Sequence, residues 1–172
     1  MTKRNKLRIK QIAILLSRLE SEKHLIELAF AFKHNKHKTN WMERAFPLDV
    51  LDNNEYSDYL TKKEAIGAKQ GKLVDELNTI LPMAINLNIH PELKLDTNGE
   101  SWAFAFNHLQ RRTESLRFSL DNPRENFPPM AEKTIASVLK NEETLKKWRE
   151  YEDLILAQDT GLKECEISAV QV

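Results

Sequence analysis

Apolar residues recur at helical spacing along most of this chain. In the first twenty residues they lie three or four positions apart on one helical face, at Ile9, Ile12, Ala13, Leu16 and Leu19. From Leu25 to Phe32 they become denser, and a helix that is apolar on most sides is usually buried. We therefore predict helix from Leu7 to about His34. Because Ser21 could cap a new helix, we favour two helices that meet near residues 20–22.

Four later stretches show helical patterns as well. Thr61-Lys62-Lys63-Glu64 fits a capping box and predicts a helix that begins at Thr61 and ends or kinks at Pro82. Gly67 and Gly71 weaken that helix and would allow another helix to pack closely against it. The other predicted helices cover residues 101–120, 130–140 and 144–158. We expect Asn141 to act as a cap between the last two.

The segment 33–60 looks irregular, since Pro47 and the Asp52-Asn53-Asn54 cluster are typical of turns. The fold class that follows is all-α, an irregular bundle of five or six helices with a long ordered loop near residues 33–60. We predict a single helical domain over residues 1–160 with a basic N-terminal arm at residues 1–10. Residues 161–172 form a C-terminal tail in this prediction.

The composition agrees with a helical protein and narrows its chemistry. Of 172 residues, 4 are Gly and 6 are Pro, which disfavours a turn-rich β-sandwich. Cys165 is the single cysteine, so an intramolecular disulfide and a zinc site built on several cysteines are both excluded. The apolar run 12–16 is too short for a secretory signal, and no stretch has the length of a membrane span. We predict a cytoplasmic protein without a cofactor.

The distribution of charge along the chain says more about a possible partner than the composition does. The chain has a formal net charge of zero, yet residues 1–44 contain 11 Lys or Arg against 4 Glu, and the remainder is correspondingly acidic. A basic end of this kind favours a phosphate-rich or acidic partner. The candidate nucleic-acid-binding residues are Lys3, Arg4, Lys6, Arg8, Lys10, Lys33, Lys36, Lys38, Arg111 and Arg112.

Each of these basic groups also has an ordinary structural explanation. The N-terminal residues could be a solvated terminus, and Trp41, which would offer a stacking surface beside Lys36 and Lys38, could be a core residue. Glu114 is spaced to pair with Arg111 or Arg117 on one helix. The N-terminal cations and the lysines of residues 33–38 would lie up to about 40 Å apart if one straight helix joins them. They would lie closer together if that helix bends near Ser21.

Two spacings involve histidine. His34 and His37 could share a helical face, but the lysines around them would repel a dication, so we predict no metal site there. Arg18 and His24 are separated by five residues, which resembles the Arg-x(4–6)-His motif of HEPN ribonucleases. That resemblance implies that His24 acts as acid or base and that Arg18 stabilises phosphate charge. Leu19 follows Arg18, where that family usually has a polar residue.

Three functions remain open on these grounds. The first is a non-enzymatic accessory or regulatory subunit that contacts DNA or RNA through its basic N-terminal region and a protein partner through its more acidic remainder. The second is a protein–protein adaptor or inhibitor that makes no nucleic-acid contact. The third is a helical ribonuclease of the HEPN type.

Overall fold

In a computed structural model the described residues are 2–35, 54–80, 102–124 and 127–159, and they form four helices. These are α1 (Lys3–Asn35), α2 (Asn54–Ile80), α3 (Trp102–Asp121) and α4 (Glu132–Leu156). The all-α prediction is confirmed for this part of the chain, which contains no strand. The described residues form four helices where five or six were predicted for the chain, because the breaks predicted inside α1 and α4 are absent.

Helix α1 is continuous through the region where we expected a break. Ser21 is buried, and its hydroxyl donates a hydrogen bond to Glu114 on α3 rather than capping a new helix. The neighbouring residues Leu19, Glu20 and Lys23 all have high helix propensity. A single serine with a partner on another helix therefore does not interrupt α1.

Helix α2 begins at Asn54, seven residues before the predicted capping box. Thr61 lies inside the helix, and its hydroxyl donates to the carbonyl of Ser57 over 2.9 Å. Packing explains the earlier start, because the rings of Tyr56 and Tyr59 lie 6.1 Å and 4.2 Å from the ring of Phe30 on α1. The predicted loop near 33–60 is thus helical at both ends, while residues 36–53 lie outside the described residues.

Helix α4 runs without interruption through the residue predicted to cap its second half. Asn141 is helical, and the hydroxyl of Thr144 donates back to the carbonyl of Lys140. The guanidinium of Arg117 on α3 binds both carboxylate oxygens of Glu142 at 2.6 Å and 2.5 Å. This contact stabilises the turn at which we expected the helix to end.

Helices α1 and α2 form an antiparallel pair whose register is set by polar contacts along its length. From one end to the other, these contacts join Arg8 to Glu76, Glu20 to Gln70, Glu27 to Lys63, and Lys33 to Glu55. Numbers rise along α1 while they fall along α2, which defines the antiparallel direction.

Helix α1 also contacts the other two helices. Glu20 approaches Arg111, and Phe32 packs edge-on against Phe118, so α3 runs in the same direction as α1. Arg18 pairs with Glu152 while Gln11 reaches the end of α4, so α4 runs in the opposite direction. The four helices alternate in direction along the chain, and α1 touches the other three.

The core lies around the first half of α1. All five residues from Gln11 to Leu15 are buried, so every side of the helix is covered there. The four apolar residues among them, 12–15, belong to one cluster with Ile66, Leu73 and Leu77 of α2 and Ile155 of α4. The second half of α1, which we expected to be the buried part, is more exposed, and Leu25 is 44% exposed. The density of apolar residues was misleading, because burial follows the number of helices that surround a position.

Within the described ranges, no helix combines the length and the apolar character needed to cross a membrane. The predicted tail at 161–172 and the predicted stop at Pro82 lie outside those ranges.

Candidate nucleic-acid interface

The basic N-terminal residues are the first turns of α1 and not an extended arm. The hydroxyl of Thr2 accepts a hydrogen bond from the backbone N–H of Asn5 at 3.2 Å, and the carbonyl of Thr2 accepts from the N–H of Lys6. This is the geometry of a helix N-cap, which contributes about 1 kcal/mol to helix stability. The cap offsets part of the cost of placing cations at the positive end of a helix.

Four of the five N-terminal cations are exposed, namely Lys3, Arg4, Lys6 and Lys10. At 100° per residue, Lys3, Lys6 and Lys10 lie within about 60° of one another around the helix axis. The first turn contains no acidic side chain. Unbonded backbone N–H groups at a helix N-terminus add to a positive potential, so this end of the molecule favours an anion.

Arg8 departs from the predicted set, because it is buried and paired. Its guanidinium donates two hydrogen bonds to the carboxylate of Glu76 on α2, at 2.5 Å and 2.6 Å. A third contact, at 3.5 Å, reaches Gln11. The guanidinium of Arg8 therefore attaches α1 to α2 and is not available to a phosphate.

Gln11 is a structural residue that the sequence reading missed. Its side-chain amide is buried and donates to the carbonyls of Ile155 and Gln158, at 3.0 Å and 2.9 Å. It binds one carbonyl in the last turn of α4 and one just beyond the helix end, a region where carbonyls lack partners within the helix. With Arg8, it holds the basic turns of α1 in a fixed orientation.

The second predicted basic site lies at the opposite end of α1. Lys33 is exposed and pairs with Glu55 at 2.6 Å. Because α1 is unbroken, Lys3 and Lys33 are separated by about 45 Å along its axis. The two basic sites are therefore distant from each other. Lys36 and Lys38 lie outside the described residues, as does Trp41.

The third predicted site, at Arg111 and Arg112, is exposed on α3. The guanidinium of Arg111 lies 3.9 Å from Glu20 of α1. The expected pairing of Glu114 with Arg111 or Arg117 was wrong, because Glu114 accepts hydrogen bonds from Ser21 and Gln110. Arg111 and Arg112 form a patch of their own, distinct from both ends of α1.

Arg18 and His24 contact different helices. Arg18 binds Glu152 and Asp153 of α4, whereas His24 shares a hydrogen bond with Ser115 of α3 at 3.0 Å. Six residues apart on a helix, they point about 120° away from each other. The structure therefore does not bring them together at one site.

Glu152, the partner of Arg18, is fully buried. Burial raises the pKa of its carboxyl group, and the guanidiniums of Arg149 and Arg18 oppose that rise without cancelling it. One of its carboxylate oxygens, Oε1, has no hydrogen-bond partner among the described residues. The pairing with two arginines therefore only partly compensates for removing this carboxylate from water.

Among the described residues, no cluster of three or more His, Cys, Asp or Glu side chains could hold a metal ion. Comparisons with family models, with curated proteins and with solved structures found no match to this chain.

Proposed function

We propose that this protein is a non-enzymatic accessory subunit that binds nucleic acid through the first turns of α1. The observation that supports this best is the set of four exposed cations, Lys3, Arg4, Lys6 and Lys10, on a capped helix end. Lysine and arginine side chains neutralise phosphates and release counterions, which drives association without reading sequence. A helix fixed by Arg8 and Gln11 presents these charges in one orientation at low entropic cost.

Binding of a labelled duplex to the full chain tests this proposal. We expect fluorescence anisotropy to report binding of a 20-base-pair DNA at low salt, with an affinity that falls as salt rises. Four neutralised phosphates correspond to a slope of about −3.6 in a plot of log affinity against log salt concentration. Single-stranded DNA and RNA of the same length distinguish the preferred nucleic acid.

The decisive variant replaces Lys3, Arg4, Lys6 and Lys10 with Gln. A matched control replaces four exposed lysines of α4, namely Lys133, Lys140, Lys146 and Lys147, which removes the same charge elsewhere. We expect the first variant to lose both affinity and salt dependence and the control to retain most of each. Absence of binding at low salt, or an equal loss in both variants, would refute the proposal.

We propose as a second candidate function that the protein is an adaptor which binds another protein without contacting nucleic acid. Exposed apolar side chains on α1 and α4, such as Leu25 and Leu154, favour this alternative. It predicts a stable protein complex that is insensitive to the N-terminal substitutions.

A further inference from the structure

A groove of about 580 Å³ runs along the outer side of the contact between α1 and α2. Among the described residues, its lining consists of Glu22, Leu25, Ile26 and Ala29 of α1 and Lys62, Ala65, Ile66 and Lys69 of α2. Since it spans about two turns of each helix and lies outside the predicted basic sites, it is a separate surface.

Small side chains create this groove. Ala29 and Ala65 are exposed and lie in its walls, while Ile66, which is only 3% exposed, belongs to the core beneath it. Leu25 borders it and is 44% exposed. A depression with an apolar lining, open along its length, suits the apolar face of a helix better than it suits an enclosed small molecule.

The charge at the rim indicates what the occupant carries. Lys62 and Lys69 are exposed on α2, and neither has an acidic partner among the described residues. They are seven residues apart, which is two turns or about 10.5 Å on one side of the helix. Carboxylates at positions i and i+7 of a bound helix match that spacing.

We propose that this groove binds an amphipathic helix of a partner protein, with apolar residues in the groove and acidic residues opposite Lys62 and Lys69. This deepens the protein-partner part of the proposed function and does not depend on nucleic-acid binding. A second copy of this chain fits less well, because two facing grooves would bring four lysines together against two glutamates. A contact of two to three turns is small, so the interaction is weak and reversible.

A displayed library of helical peptides tests the proposal on the full-length protein. The peptides keep apolar residues at i, i+3, i+4 and i+7, and their flanking positions vary among Glu, Lys, Gln and Ser. Counter-selection uses an Ala65→Trp variant, which fills the groove at an exposed position that the core does not need. We expect enrichment of Glu at flanking positions seven residues apart. A Lys preference, no preference, or no enrichment would overturn the proposal.

The selected peptide then provides a quantitative readout. We expect Lys62→Glu with Lys69→Glu to weaken its binding at least tenfold, whereas Lys133→Glu with Lys146→Glu on α4 leaves it within about twofold. Circular dichroism confirms that each variant is folded. Equal weakening by both pairs would refute a specific rim contact.

Two further measurements exclude other occupants. If sedimentation shows a dimer that Ala65→Trp dissociates, the groove binds a second copy and the proposal fails. If the peptide binds only after deletion of residues 161–172, the groove belongs to the chain's own tail and the proposal also fails. Loss of nucleic-acid binding in the N-terminal variant leaves peptide binding unchanged, so failure of the two proposals can be distinguished.

Discussion

At the scale of single residues, the two glycines of α2 have a cost without a structural benefit in the described part of the chain. A methyl group added at Gly67 or Gly71 would meet no described atom within 4 Å apart from the neighbouring backbone of α2 itself, and both glycines lie in regular helix. The sequence suggested that they allow close helix packing, and the described residues contain no helix that approaches them. Glycine in a helix interior destabilises by about 1 kcal/mol relative to alanine.

We therefore expect Gly67→Ala and Gly71→Ala each to raise the free energy of unfolding by about 1 kcal/mol. Urea denaturation followed by circular dichroism measures this change. Ala65→Gly at an exposed position of the same helix is the matched control and should lower stability by a similar amount. A loss of stability in either alanine variant would show that the glycine contacts another part of the protein.

Glu152 gives the stability of the protein a specific pH dependence. Burial raises the pKa of its carboxyl group above the ordinary value of 4.5. Between that value and the raised one, the folded state binds the proton more tightly than the unfolded state does. Protonation therefore favours folding, and the contribution of Glu152 to stability improves as pH falls through this window.

The pH dependence of unfolding, compared between the wild type and Glu152→Gln, reveals this contribution, because glutamine cannot titrate. We expect the free energy of unfolding of the wild type to rise relative to that of the variant as the pH falls towards the ordinary carboxyl pKa of 4.5. Relative to Glu150→Gln, a control at an exposed position on the same helix, the wild type should show no such rise. A wild type that loses stability relative to Glu152→Gln on acidification would mean that Arg18 and Arg149 outweigh burial.

At the scale of elements, the sequence predicted which segments are helical far better than where they begin and end. Helix α3 was expected at residues 101–120 and spans Trp102–Asp121. Its apolar stripe continues over its whole length in the sequence, and Pro123, which disfavours helix at the residue before it, follows shortly after its end. The apolar stripe and the proline after it indicate the same helix end, so the prediction of α3 was accurate.

The failures share one cause, which is that local capping signals were outweighed by contacts between helices. Ser21, Thr61 and Asn141 each resemble a cap, yet each lies inside a helix. Glu114, Phe30 and Arg117 provide the competing contacts, and none of these is near the misleading residue in sequence. Such tertiary contacts cannot be read from a local window.

The candidate interface, too, was predictable from the sequence in one part and not in another. Exposure of Lys3, Lys6 and Lys10 follows from their common side of a helix, which the sequence pattern permits one to expect. Burial of Arg8 depends on Glu76, 68 residues away. The only sequence signal for it was that Arg8 precedes Ile9 and Ile12 at the start of the apolar face.

At the scale of the whole molecule, the unbroken α1 decides whether the basic sites act together. Lys3 and Lys33 lie about 45 Å apart, several times the Debye length of about 8 Å at physiological salt. Neither site affects the potential at the other. One ligand contacts both only if it is long enough to span the helix, so the two sites should contribute independently to the binding of any shorter ligand.

Duplex length tests this geometry, because DNA extends by 3.4 Å per base pair. A duplex of 8 base pairs is about 27 Å long and cannot span the two sites, whereas one of 20 base pairs is about 68 Å long and can. We expect replacement of Lys33, Lys36 and Lys38 with Gln to weaken binding of the longer duplex severalfold. Loss of N-terminal cations should weaken binding of both duplexes. Equal effects of the Lys33 variant on the two lengths would show that its charges contact the same short stretch of DNA as the N-terminal turns. An unbroken α1 that separates the two sites by about 45 Å predicts otherwise.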